Sequence, residues 1–251
     1  MDIPILYEDE EIVVVEKPSG VVCNRAETVK DETIQDWMDS RYGFPSIQVT
    51  SENEKYFKER SGLVHRLDKE TSGVMVLAKT PEAFSELLRQ FKARETSKEY
   101  LALTHGIWKV REGTIELPVG RMRSNRKMMG VREDGRESQT QYEVQEQYKQ
   151  GDFPKELKVE TRGYGGFSLV KFKPKTGRMH QIRVHAKHLG HPVVGDELYA
   201  GRKRSREDRK WAGRVMLQAM SLELTHPTSK KRVKFESKNE DIKNGLKYLR
   251  N

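Results

Sequence analysis

Asp68 stands in the run Gly62, Leu63, Val64, His65, Arg66, Leu67, Asp68, Lys69, Glu70, Thr71, Ser72, Gly73, where alternating apolar residues give way to small polar ones. A compact β-prone stretch from Val74 to Ala78 follows. The loop therefore sets a carboxylate at the mouth of a rigid strand, a common way of presenting a binding or catalytic group. Aspartate in such a turn also caps backbone N–H groups, so the residue type alone leaves both roles open.

Four histidines, His180, His185, His188 and His191, raise the question of a metal. Read as extended chain, Gln181 to Val184 alternates faces, with Gln181, Arg183 and His185 on one side and Ile182 and Val184 on the other. His180 and His185 then point apart and no nearby carboxylate completes a ligand set, so no metal is expected. Met122, Met128 and Met129 lie among arginines and read as packing residues of a loop. Cys23, the only cysteine, sits beside Val21 and Val22 as a small apolar residue and excludes an internal disulfide. The turn Gly163 to Gly166 lacks the strand, helix and lysine of a phosphate loop.

Around these residues the chain reads as many short strands and few helices. Strands are predicted over Ile3 to Tyr7, Ile12 to Val15, Val74 to Ala78, Tyr100 to Leu103, Thr114 to Leu117, Gln139 to Val144, Leu157 to Thr161 and Phe167 to Phe172. Ile34, Trp37 and Met38 share a helical face that Gly43 would end. Thr80 and Pro81 open a second helix carrying Phe84, Leu87, Leu88 and Phe91. Residues 44–60 are polar and patternless, a loop or insertion, and 201–214 reads as a basic loop. The pattern favours a single α+β domain over 1–251, a mostly antiparallel mixed sheet flanked by helices and loops.

The length of 251 residues is enough to bury a core that holds a rigid site. A net charge of +9 and a pI near 9.4 favour polyanionic partners, nucleic acid first among them. The charge gathers in two stretches: Arg121, Arg123, Arg126, Lys127 and Arg132, and Arg202, Lys203, Arg204, Arg206, Arg209, Lys210 and Arg214. No signal peptide or membrane span is visible, so a cytoplasmic protein with no membrane partner is expected.

Four blocks stand in order along the chain: Lys17, Pro18, Ser19, Gly20; the Asp68 run; Lys98, Glu99, Tyr100; and Lys175 to His185 continued by Gly190 to Asp196 and Tyr199. Together they resemble the RluA-type pseudouridine synthases. The resemblance runs from about Ile3 to Pro227. Gln218, where relatives often carry His, and Ala200 between Tyr199 and Gly201 depart from the pattern. The sequence opens on a predicted strand, so the basic RNA-binding domain that some relatives carry upstream is not expected.

The resemblance implies the pseudouridine synthase fold and an isomerase that moves a uracil from N1 to C5 linkage with no cofactor, as reactant and product have the same atoms. It assigns Asp68 as the catalytic carboxylate, Arg183 as its partner and Tyr100 as the ring against the uracil and the group near C5. Arg66 is similar to the residue that fills the gap left by the extruded base. His65, Arg178, His180, Gln181, Arg202, Lys203, Arg204 and Arg206 are expected among the RNA contacts, and the protein is expected to be a monomer. Ribosomal RNA of the large subunit is the favoured target and transfer RNA the alternative. A non-catalytic RNA-binding module would retain binding but not need the Asp, Tyr and Arg set, and a glycoside hydrolase would release free uracil.

Overall fold

Thr33 and Ser51 start helices in the same way. Each side chain accepts from the backbone N–H three residues on, while Asp36 and Glu54 reach back to the cap, closing a capping box. In the computed structural model, which describes residues 1–46, 48–150, 164–238, 242 and 246, these caps open α1 (Ile34–Tyr42) and α2 (Glu52–Arg60) after β1 (Ile5–Glu8) and β2 (Ile12–Lys17). There follow β3 (Ser72–Ala78), α3 (Pro81–Ala93), β4 (Ser97–His105), β5 (Glu112–Glu116), β6 (Val119–Arg121) and β7 (Met129–Val131). The chain continues with β8 (Gln139–Lys149), β9 (Gly166–Pro174), α4 (Gln181–His188), α5 (Glu197–Ala200), α6 (Arg202–Ala212), β10 (Leu217–Thr225) and β11 (Arg232–Glu236).

Two compact units divide the chain, Met1–Ser97 with Ala219–Asn239, and Lys98–Gln218 with Glu240–Asn251. In the first, β2 pairs antiparallel with β1 and with β3, in a register running from Ile12 opposite Ala78 to Lys17 opposite Gly73. Every residue of β2 and β3 is buried, which explains their near-continuous Val, Ile and Leu content. β10 lies beside β3, and β11 pairs antiparallel with β10. Gly73 has φ +114°, and a Cβ there would fall 2.1 Å from the Ala219 carbonyl oxygen, so only glycine lets the two strands approach.

The stretch expected as a loop over 44–60 instead contains a 3-10 turn, Phe44–Ser46, and α2. α2 buries one apolar residue, Phe57, whose ring meets Phe44 at 4.8 Å and Phe84 of α3 at 5.7 Å. One buried side chain makes no periodic pattern, and the helix relies on its capping box and that aromatic contact.

The second unit holds an antiparallel sheet in the order β4, β9, β8, β5, with a bulge between Val144 and Glu146, and the separate hairpin of β6 and β7. Ala102, Trp108, Val170, Phe172, Ile182, Ala186 and Val193 form one core. A second gathers Leu103, Phe167, Val194 and Met216 with Ile242 and Leu246. The α+β class and the mostly antiparallel pairing agree with the sequence reading. Two local readings do not. Gln181 to Val184 is helical, the start of α4, and the basic stretch 201–214 is chiefly α6. The strand expected over Leu157 to Thr161 lies outside the described residues.

Candidate active site

The half-buried Asp68 is carried by a loop whose backbone is gripped from one side by residues 17–23. Lys17 is fully buried, and its ammonium donates to the carbonyl oxygens of Pro18 and Val21 at 2.8 Å and of Lys69 at 3.1 Å. Gly20 N–H also donates to Lys69 O at 2.8 Å, and the Ser19 hydroxyl donates to Glu70 O at 2.8 Å. The Cys23 thiol points at Leu67 O, 3.3 Å away. The carbonyls on both sides of Asp68 are thereby fixed, and the turn closes on itself through Thr71 N–H to Asp68 O at 3.1 Å. Burial pushes the Cys23 thiol pKa up, which keeps it protonated as a donor. Lys17 and Cys23 were visible in the sequence as part of a turn and as an apolar residue; their clamping role was not.

His65 serves this scaffold. Its Nε2 accepts from Val76 N–H of β3 at 3.1 Å, and its ring stacks on Phe91 of α3 at 4.6 Å. Arg66, between it and the aspartate loop, is exposed.

In the second unit Tyr100 lies on β4 opposite Phe172 of β9 and packs, partly buried, against the first core. Lys98, two residues earlier, shares its face of the strand, and burial pushes its pKa down.

Arg183 sits on α4, 6% exposed, and its Nε and Nη2 donate to the two oxygens of the fully buried Asp196 at 2.7 and 2.9 Å. This bidentate pair fixes the plane of the guanidinium. Asp196 also caps α5 by accepting from the backbone of Leu198 and Tyr199 at 3.1 and 3.3 Å. The Arg183 guanidinium lies over the Tyr199 ring, 5.0 Å from its centroid. The sequence reading placed Asp196 and Tyr199 in the family pattern without a role; their pairing with Arg183 depends on the turn between α4 and α5, which no spacing discloses.

Among the residues expected at the RNA surface, Gln181 is committed internally. Its amide oxygen accepts from the Thr176 hydroxyl at 2.7 Å and Arg178 N–H at 3.0 Å, and its amide nitrogen donates to Gln139 O and the Thr140 hydroxyl at 3.0 and 2.9 Å. All four of its hydrogen bonds are filled, so the geometry makes it a strut for the Arg178 turn. Arg178 donates to Glu137 O at 3.1 Å. His180 is half-buried, in the left-handed region at φ 58°, with its Nδ1 2.8 Å from the Tyr199 hydroxyl. His185 is fully buried, its ring 2.9 Å from the Thr140 hydroxyl and 3.1 Å from Leu117 O, and burial pushes its pKa down. Among the described residues, no group of three or more His, Cys, Asp or Glu side chains could hold a metal ion. No helix of the described residues is long and apolar enough to cross a membrane.

Arg202, Lys203 and Arg206 project from α6 into solvent, while its Ser205 and Asp208 are buried. Asp208 Oδ2 pins the helix, meeting His105 Nε2 of β4 at 2.9 Å and accepting from Gly195 N–H at 3.0 Å. Arg202, Lys203 and Arg204 line an open cavity of about 410 Å³ with Tyr164, Ala200 and Gly201, and the Arg204 guanidinium lies 5.1 Å from the Tyr164 ring centroid. Three cationic side chains around one open cavity suit the phosphates of a phosphodiester chain.

Residues 11–188 match the RNA pseudouridylate synthase family. The ribosomal large subunit pseudouridine synthase D of Pseudomonas aeruginosa is 36% identical over 245 residues, covering 94% of this chain and 68% of that protein. An uncharacterized RNA pseudouridine synthase of Aquifex aeolicus is 38% identical over 237 residues, covering 93% and 68%. Among solved structures, human RNA pseudouridylate synthase domain containing 1 superposes with a TM-score of 0.68 at 30% identity, covering 95% of this chain and 84% of that one. The α+β scaffold, the clamped aspartate loop and these matches together place the chain in the RNA pseudouridylate synthase family, RluA-type, as an isomerase that converts uridine to pseudouridine.

Proposed function

We propose that the chain isomerises uridine in large-subunit ribosomal RNA, with Asp68 as the catalytic carboxylate. The observation that carries the assignment is the clamp around Asp68: a fully buried lysine, a serine hydroxyl, a glycine N–H and a thiol hold the carbonyl oxygens of Leu67, Lys69 and Glu70 on either side of one half-buried carboxylate. Such preorganisation keeps a reacting group in place without reorganisation at the moment of reaction. Tyr100 provides the ring for the detached uracil and the hydroxyl near C5, and Arg183, its plane set by Asp196, provides the cation that complements the aspartate. Arg66 fills the space of the extruded base, at the few-kcal/mol cost typical of base flipping. Arg202, Lys203, Arg204 and Arg206 hold the RNA backbone.

The ribosomal target is supported by the function of the Pseudomonas relative over nearly the whole of this chain. Mapping of pseudouridines in cells with and without the gene tests it. Loss of one or more sites in large-subunit ribosomal RNA is expected; loss confined to transfer RNA would contradict the target while leaving the chemistry intact.

A further inference from the structure

The hairpin of β6 and β7 is a two-stranded ribbon separate from the main sheet of its unit, and such ribbons are marginal without outside support. It exposes Arg121, Arg123, Arg126 and Lys127. Its apolar side sits on Val184 of α4 and Tyr199 and Leu198 of α5 through Val119, Met128, Met129 and Val131. One polar anchor is the Tyr199 hydroxyl, which accepts from Met129 N–H of β7 at 3.1 Å, while at the base of the hairpin His185 Nε2 of α4 lies 3.1 Å from Leu117 O. The same hydroxyl lies 2.8 Å from His180 Nδ1, within hydrogen-bond distance. His180 holds a left-handed backbone, φ 58°, a conformation that surrounding contacts must sustain in a residue other than glycine. At its other end Tyr199 has its N–H capped by Asp196 and its ring beneath Arg183.

We propose that Tyr199 is a positioning residue that sets the basic hairpin against α4, so that the hairpin's arginines grip the RNA backbone in register with Arg183. This rests on the assignment of the chain as an RNA-modifying enzyme and goes beyond it in giving the hairpin's seating a role in substrate capture. The ring and the hydroxyl then have separable duties: the ring supports Arg183 and the hydroxyl supports the hairpin.

Tyr199→Phe keeps the ring and deletes the hydroxyl. Hydrogen exchange should show the amides of residues 119–131 exchanging at least about tenfold faster while those of β8 stay unchanged, an outcome independent of any activity. On an in vitro transcript of large-subunit ribosomal RNA, KM should rise about fivefold or more while kcat changes less than about twofold. In a cycle with Arg123→Ala/Arg126→Ala, the KM effects should be less than additive, because a hairpin stripped of its arginines has little left to position. Met129→Pro removes the same hydrogen bond from the hairpin side, leaves Tyr199 intact, and should reproduce both the exchange and the KM change should Tyr199→Phe fold poorly. Unchanged exchange over 119–131, a fall in kcat without a rise in KM, or strictly additive effects would each overturn the proposal. If the wild-type protein modifies no transcript, the reading of the enzyme's target fails, and the exchange experiment still decides the seating.

Discussion

Lys17 shows how a residue far from Asp68 in sequence sets where that carboxylate stands. A buried ammonium is costly unless its protons are matched, and here three carbonyl oxygens match them. Lys17→Met keeps the length and apolar stem but removes the ammonium those carbonyls share, leaving Lys69 O with the Gly20 N–H alone. We expect a loss of about 3 kcal/mol in stability, read from urea unfolding with an unchanged slope, and turnover should fall even where the variant is fully folded. A change below about 1 kcal/mol would show that other groups or water satisfy the loop. At this scale residue type alone left Asp68 open between capping and chemistry, and the roles proposed for Asp68, Tyr100 and Arg183 come from the motif blocks around them. Residue type was least informative for Asp196, which reads as a helix cap and does cap α5, yet also fixes Arg183. One side chain with two duties looks like one with the commoner duty.

Among the elements, the misread ones share a physical cause. In α4 all of Gln181 to Ala186 are buried, so its polar and apolar residues alternate as they would along a strand and the helical period is lost. In α6 only Ser205 and Asp208 are buried, so a real helix carries no apolar stripe. α2 announced itself only through Ser51 and Glu54, a capping box without the hydrophobic run that normally follows. By contrast α1 and α3, with Thr33 and Thr80 caps and buried residues at helical spacing, were legible.

The burial of α4 also has a pH consequence. His185 is held neutral because burial pushes its pKa below the ordinary 6.5. The unfolded chain takes up a proton as pH falls through about 6.5, and the folded chain resists it. The stabilisation is therefore present above that pH and lost on acidification. His191, also lowered by burial, adds to it. Melting temperature should fall between pH 7.5 and 5.5, and His185→Gln, whose amide can still donate to Leu117 O, should show a shallower fall. An equal pH slope in the two proteins would rule His185 out as a source.

For the whole molecule, a charge of +9 draws RNA from a distance, but only charges that touch phosphate change the salt dependence of binding. Neutralising Arg202, Lys203 and Arg206 together should reduce the slope of log K against log salt by about 0.7 to 0.9 for every phosphate left without its cation. An unchanged slope would leave α6 as a solubilising surface. The class of fold and the identity of the chemistry were readable because the four motif blocks lie in order along one chain. How each unit builds its core around them was not, since that depends on strand register and close approaches such as Gly73 against Ala219.

Every role proposed for the site depends on Asp68 being the reacting carboxylate. Asp68→Asn keeps the shape and volume of the side chain and removes the charge, so the clamped loop and the RNA surface should be preserved. The measurement is tritium release from RNA labelled at uridine C5, under single-turnover conditions, with RNA affinity measured in parallel. We predict no release above background from the variant while its affinity stays within a few fold of wild type. Release at a rate near that of the wild-type protein would mean that Asp68 is not the reacting group.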